Sequence, residues 1–417
     1  MIRISIRAAA LPTFLIVALA SSAASAASQD WPIWRGPDRS GIVTEKGLAE
    51  SWPADGPKEL WRHKAGIGFA SPVVAGGKLY LFYLDENKDV LEALDPASGK
   101  SLWKQGSEKA YSAAYPGTRG SPTIDGDKIF TYSGNGYLVG RSLADGKQLW
   151  AVDVMTETGG KQKTWGLAST PLVDGDLVYV QSGENGNAAV AVNKNDGKIV
   201  WKSDAKGGGY ATPVLATVNG KPLLIVFGQK HLFGIDPKNG KTIWELNESW
   251  ETEWGVNATM PLVHDGKVFV TVAYKNAHSS LYELSDGGIK PVWTSKEIGA
   301  RFQPGVLDNG YLYINSEGRL QCVKWSDGKI AWQTDPRKER QLLGFGGSLV
   351  RFGDKLITLS DKGTLSLLQA TPEGYKKISK VEDVVDGDQN WATPLIYDGK
   401  LYVKGKEELV CFDISGK

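Results

Sequence analysis

Beyond residue 57, apolar and polar positions alternate with a period of two in short runs, and Gly, Asn and Asp interrupt the runs at regular intervals. Successive side chains of an extended strand face opposite sides of a sheet, so this pattern predicts short β-strands and not helices. The runs belong to a recurring phrase: a small residue before Pro, an apolar alternation, a D-G type turn, and a β-branched or aromatic run. It reads "ASPVVAGGKLYLF" at its first occurrence and "ATPLIYDGKLYVK" at its last. The prolines stand at 72, 122, 171, 213, 261, 304 and 394, and Leu349 fills the missing place. A second recurring feature is a Trp at 103, 150, 201, 244, 293 and 332, spaced by 39 to 51 residues, five of them four positions after a Gly.

Eight units of roughly 45 residues account for nearly all of the chain after residue 57. Four antiparallel strands per unit make a blade with two apolar faces, which is stable only when stacked against neighbours. The expected fold is therefore all-β, an eight-bladed β-propeller of four-stranded antiparallel blades. The last unit stops at "CFDISGK" without an outer strand, whereas "KELWRH", with Trp61, precedes the first Pro and belongs to no complete unit. Residues 58 to 64 should pair with the final blade and close the ring through an N-terminal strand. Trp61, Trp103, Trp150, Trp201, Trp244, Trp293 and Trp332 are then structural residues that lock blades.

Third-strand positions align as Ala93, Gly140, Ala191, Gly234, Glu283, Cys322, Leu367 and Cys411. Cys322 and Cys411 thus occupy equivalent slots two blades apart, too far for the roughly 7 Å between Cα atoms that a disulfide tolerates, and two free, buried thiols are expected.

Residues 1 to 26, "MIRISIRAAALPTFLIVALASSAASA", carry Arg3 and Arg7, an apolar run from Ala8 to Ala20, and Ala24-Ser25-Ala26. That is the layout of a signal peptide cleaved after Ala26, and the run is shorter than the about 20 residues needed to span a bilayer. The expected domains are a signal peptide at 1–26, an N-terminal extension at 27–57, and the propeller at 58–417. A soluble periplasmic or secreted protein without an integral membrane segment follows. With 48 Lys+Arg against 47 Asp+Glu there is no basic field to gather nucleic acid. Two Cys and four unclustered His argue against a thiolate or histidine metal site.

The phrase "ALDPASGKSLW", with Ala93, Asp95, Gly99 and Trp103, resembles the tryptophan-docking motif of propellers built from the pyrroloquinoline quinone repeat. The extension's "DWPIWRGPDRSG" is similar to the start of PQQ-binding-like β-propeller repeat proteins, through Trp31, Pro32, Trp34, Arg35, Gly36 and Pro37. The same repeat builds the BamB propellers, which carry no quinone, and the dehydrogenases, which use quinone and Ca²⁺. The resemblance implies the fold and leaves the activity open. In the extension, Trp31 and Trp34 are expected to clamp the segment onto the ring.

In a propeller, the loops before the innermost strands converge on one channel mouth. Here they offer Phe69, Tyr115, Arg119, Trp165, Tyr210, Glu253, Trp254, Asn257, Arg301, Gln303, Phe345, Asp388, Asn390 and Trp391. Flat aromatics can stack on a ligand ring, and Arg119 and Arg301 can clamp carboxylates. Glu253, Asn257, Asp388 and Asn390 carry oxygens suited to a hard cation. Vicinal Cys, a G-x-S-x-G elbow and an H-E-x-x-H helix are absent from the sequence, leaving little support for catalysis. The expectation is a non-catalytic binding or scaffold protein without cofactor, engaging a protein segment, glycan or small ligand at the mouth. The alternative is a PQQ- and Ca-dependent dehydrogenase of alcohols or sugars.

Overall fold

The computed structural model describes Met1 and residues 29–107, 109–247, 256–274, 276–339 and 341–416; the expected signal peptide lies outside the described residues. Among the described residues eight sheets follow one another, each with four antiparallel strands and one of them extended by a fifth, parallel strand. Blade 1 comprises Val73–Ala75, Lys78–Asp85, Lys88–Leu94 and Ser101–Ser107. The innermost strands of blades 2 to 7 are Thr123–Asp125, Leu172–Asp174, Val214–Val218, Leu262–His264, Val306–Asp308 and Ser348–Phe352. Blade 8 takes Leu395–Tyr397, Lys400–Lys404 and Glu408–Asp413 from the end of the chain and Lys58–Lys64 from its beginning. Trp61 lies opposite Cys411, so the ring closes as the sequence predicts.

The first hairpins owe their sharpness to consecutive residues at positive φ, as at Asp265-Gly266, Asn309-Gly310 and Asp398-Gly399. Type I′ turns of this kind match the twist of the strands that they join. The blade tryptophans stand on outer strands and face the next blade. The Trp103 ring packs on Gly146 and the Trp150 ring on Gly197, where an added Cβ would come within 2.4 and 2.7 Å of the indole. Several indole nitrogens also donate to carbonyls of the next blade, Trp150 to Lys194 at 2.9 Å and Trp293 to Trp325 at 2.8 Å. Where a Gly stands four residues before a Trp, it is therefore the seat for the preceding blade's Trp.

Opposite these tryptophans the third strand carries small residues, Ala93, Gly140, Ala191, Gly234 and Cys322. In blade 5 the slot belongs to Leu281 and not to Glu283. The hairpin His278–Ser285 and Gly288–Ser295 is longer than its counterparts and shifts the alignment by two, leaving Glu283 exposed opposite Lys290. Both cysteines are free and buried.

Blade 7 departs from the repeat, because Ser379 stands opposite Leu367 where a Trp is expected. The extension completes this blade. Ile42–Val43 pairs in parallel with Arg351 and Phe352 as a fifth strand. Trp52, 8% exposed, exchanges backbone bonds with the Ser379 hydroxyl and joins the core shared by blades 1, 7 and 8. At blades 1 and 2, Trp31 bridges to Val74, and the Pro32 carbonyl accepts from Ile124. The extension thus crosses the channel from blades 1 and 2 to blade 6, where Arg35 meets Gly305 O, and then runs to blades 7 and 8.

Candidate functional site

Five of the residues that precede a repeated Pro form a chain of hydrogen bonds along the channel. The Thr393 amide donates to Ser71 Oγ at 2.8 Å, Ser71 to Ser121 Oγ at 2.9 Å, Ser121 to Thr170 Oγ1 at 3.1 Å, and Thr170 to Thr212 Oγ1 at 2.9 Å. A Pro cannot donate from its own nitrogen, so the hydroxyl one residue earlier fastens one blade to the next. Gln303 does the same work by side chain, donating to Thr393 Oγ1 at 2.5 Å. These polar groups are buried and satisfied by one another.

Above these bonds the inter-blade loops enclose a cavity of about 490 Å³. Nine aromatic side chains line it: Trp34, Phe69, Tyr115, Trp165, Tyr210, Tyr274, Phe302, Phe345 and Trp391. Trp391 is the centre of the cluster, stacked on Phe69 at 4.8 Å between centroids and tilted against Phe302 at 4.9 Å. Tyr115 reaches both Trp165 and Trp391. Gly346 is required here, since a Cβ would come within 2.2 Å of the Trp391 indole nitrogen. Tyr115, held at φ 54, is 44% exposed and Phe345 is 54% exposed, so the apolar lining continues to the rim.

The two arginines are present in the cavity but engaged. Arg301 makes a two-pronged pair with Glu317 at 2.8 and 2.9 Å and lies between the rings of Tyr274 and Phe345, 4.8 and 4.4 Å from their centroids. Arg119 donates to the carbonyls of Ala114, Tyr115 and Gly117 and covers the Tyr111 ring at 4.5 Å. Burial lowers its pKa to about 10. The Asp361 carboxyl also lines the cavity, with its pKa raised by burial while it accepts from the Phe345 amide at 3.2 Å. Behind Tyr210, burial brings Lys163 down to about 8, with its ammonium 4.5 Å from the ring centroid.

Of the residues expected at the mouth, Arg119, Trp165, Tyr210, Arg301, Gln303 and Trp391 line this cavity, with Phe69, Tyr115 and Phe345. Glu253 and Trp254 lie outside the described residues. Asn257 is fully buried and donates to Gly228 O at 3.2 Å and Gln229 O at 2.9 Å. Asn390 holds the Asp361 and Gly387 carbonyls and accepts from Lys406 N. Asp388 is exposed and outside the lining. The two side-chain NH2 groups therefore fasten loops, and among the described residues no group of three or more His, Cys, Asp and Glu comes together that could hold a metal ion.

Tyr274, Phe302 and Trp34 were not anticipated in the lining. Tyr274 follows a second strand and Phe302 lies beside Gln303, positions the repeat does not single out. Trp34 fastens the extension to the ring from inside the channel: it donates from Nε1 to Thr393 Oγ1 at 2.9 Å and packs against the core of blades 4 and 5. Its neighbours Pro32 and Ile33 line a different cavity on the far side, so Trp34 is a partition within the channel. Arg35 anchors it, 1% exposed, by donating to the carbonyls of Arg39, Ser40 and Gly305.

The family model described as outer membrane protein assembly factor BamB matches this chain over residues 37–162 and 86–334. Outer membrane protein assembly factor BamB of Shewanella oneidensis is 25% identical over 295 residues, spanning 68% of this chain and 68% of that protein. The 1-butanol dehydrogenase (quinone) of Thauera butanivorans is 29% identical over 164 residues, 38% of this chain and 23% of that enzyme. The crystal structure of BamB from Moraxella catarrhalis superposes with a TM-score of 0.62 at 14% identity, covering 86% of this chain and 98% of that one; at this identity the likeness is one of fold.

Proposed function

This chain belongs to the outer membrane protein assembly factor BamB family, and we propose that it is a non-catalytic periplasmic scaffold that holds a protein segment during assembly of outer-membrane proteins. The observation that carries this reading is the aromatic cavity, whose cationic groups are already matched. Arg301 is spent on Glu317 and Arg119 on carbonyls, so neither fork is free for a cofactor carboxylate. What remains for a ligand is a concave apolar surface with an open rim, suited to bulky apolar side chains of an extended segment. The exported setting expected from the leader agrees with this family. A glycan has no comparable support.

The dehydrogenase reading keeps one argument, the stretch shared with the quinone-dependent enzyme. Against it stand Asn257 and Asn390, whose amides fasten loops. Among the described residues no group of His, Cys, Asp and Glu suited to a metal ion comes together, and a quinone needs a site that positions and tunes it. A photo-crosslinking residue in place of Phe345 should capture outer-membrane precursors or assembly proteins in cells. Titrating the purified protein with pyrroloquinoline quinone and Ca²⁺ should give no saturable absorbance change. Quinone binding with dye reduction by an alcohol, and no crosslink, would overturn the proposal.

A further inference from the structure

The motif Trp31 to Gly41 supplies more than the partition. On the far side of Trp34, where the innermost strands end, a second cavity of about 620 Å³ opens between the extension and blades 2 to 6. Its walls are polar and apolar in nearly equal parts, with an apolar side where Ile33 and Pro37 from the extension join Ile124, Leu172, Met260 and Leu307.

One unmatched cation stands in this wall. Arg39 lines the cavity, its Nη1 is buried without a hydrogen-bond partner, and among the described residues no carboxylate is paired with its guanidinium. Burial lowers it to about 10, with no acid acting against that shift. Arg351 is matched by Asp308 at 2.8 Å and Arg301 by Glu317, while Arg35 and Arg141, which also lack a carboxylate, donate to carbonyls and, for Arg141, to the Ser107 hydroxyl. The carboxylates that line the same cavity are engaged: Asp38 with the amide and hydroxyl of Ser40, Asp125 with Lys194 at 2.7 Å. Arg39 is also held in place. Its backbone sits at φ 58, its amide donates to Gly36 O at 2.9 Å, and its carbonyl accepts from Arg35 Nε at 3.0 Å.

A desolvated guanidinium without an acceptor is costly, and a planar two-oxygen anion is its natural complement. We propose that this lower cavity binds a small amphiphilic carboxylate, whose head group takes the fork of Arg39 and whose apolar body lies against Ile33, Met260 and Leu307. A free fatty acid and the C-terminal carboxylate of an apolar peptide share this chemistry. The site is separate from the aromatic cavity and does not depend on the function proposed for it.

The test is calorimetric titration of the folded full chain with octanoate, with octanol as the neutral counterpart, and with acetyl-Leu-Leu as the peptide counterpart. Octanoate or the dipeptide should bind saturably, the tighter of the two naming the source, and octanol at least about tenfold more weakly. Arg39→Gln should reduce octanoate binding to the octanol level and Arg39→Lys should retain part of it, because an ammonium offers a charge without the fork. Trp165→Ala in the other cavity should leave octanoate binding unchanged. Equal affinity for octanoate and octanol, no saturation by either carboxylate, or full affinity in Arg39→Gln would each overturn the proposal. The octanoate-octanol comparison needs no variant, so it decides even where Arg39→Gln fails to fold.

Discussion

The indole of Trp61 lies on Gly99, close enough that an added Cβ on the glycine would come within 2.6 Å of the ring. Trp61 sits in the outer strand of blade 8 and Gly99 in the last turn of blade 1, so this contact joins the end of the ring to its beginning. Trp61→Ala leaves a half-buried indole site empty and should cost about 2 to 4 kcal/mol. Gly99→Ala adds a Cβ at φ 68 against the ring and should cost about 1 to 3 kcal/mol. Urea unfolding midpoints of the two variants check this.

Trp52 should matter as much as a blade tryptophan, although it lies outside the repeat. It packs where blade 7 has Ser379, and its backbone bonds to that hydroxyl. Trp52→Ala should lower stability by about 3 kcal/mol, and Ser379→Ala by about 1 kcal/mol. Protease sensitivity within 42–57 should rise in the first variant before it rises in the blades.

At the aromatic cavity, binding and stability should separate. Trp165 is half-buried and meets Tyr115 edge to face at 5.5 Å, apart from the blade cores. Trp165→Ala should shift the unfolding midpoint by less than about 1 kcal/mol while sharply reducing capture of a protein partner. Trp391→Ala should impair both, because Trp391 also packs on Phe69 and Phe302. Crosslinking yield set against thermal unfolding separates the two effects.

Asp89 gives stability an unusual pH dependence. It is 1% exposed, and the nearby Ser133 hydroxyl is turned to Lys109 O, leaving the carboxyl oxygens without a donor in bonding geometry. Burial pushes this carboxyl up to about 7, opposed by Ser133 and by the Arg119 charge. The folded protein then keeps a proton that the unfolded chain releases above its ordinary carboxylate pKa of about 4. This contribution to stability is full below pH 4 and is lost as pH rises through 7. Unfolding curves of wild type and Asp89→Asn should diverge across that window, wild type losing on the order of 4 kcal/mol relative to the variant.

Much of the ring was legible because each blade repeats one physical problem. Ser or Thr before Pro, the D-G turn and Gly four before Trp are each demanded by a backbone bond, a positive φ or an indole seat. Where blade 5 lengthens its hairpin, that logic slipped by two residues, from Leu281 to Glu283. The cavity was only half legible. Loop position identified Trp165, Arg301 and Trp391 as lining residues, but not that Glu317 occupies Arg301 or that Asn257 and Asn390 tie loops. The extension was hardest to read, since Trp34 and Trp52 satisfy the channel and blade 7 through contacts hundreds of residues away, which no local pattern records.

Ring closure also sets a schedule. Arg62 in the first strand of the ring bonds Glu408, 346 residues later, so this strand has no partner until almost the entire chain has been made. Contacts so distant in sequence form late, because the entropy of closing the loop must be overcome first. The early strand must remain unpaired through synthesis, with blades 1 to 7 stacking ahead of it, whereas Trp31 of the extension can already meet Val74 of blade 1. For an exported chain this delay is useful: the last fastening is withheld until both ends are on the same side of the membrane.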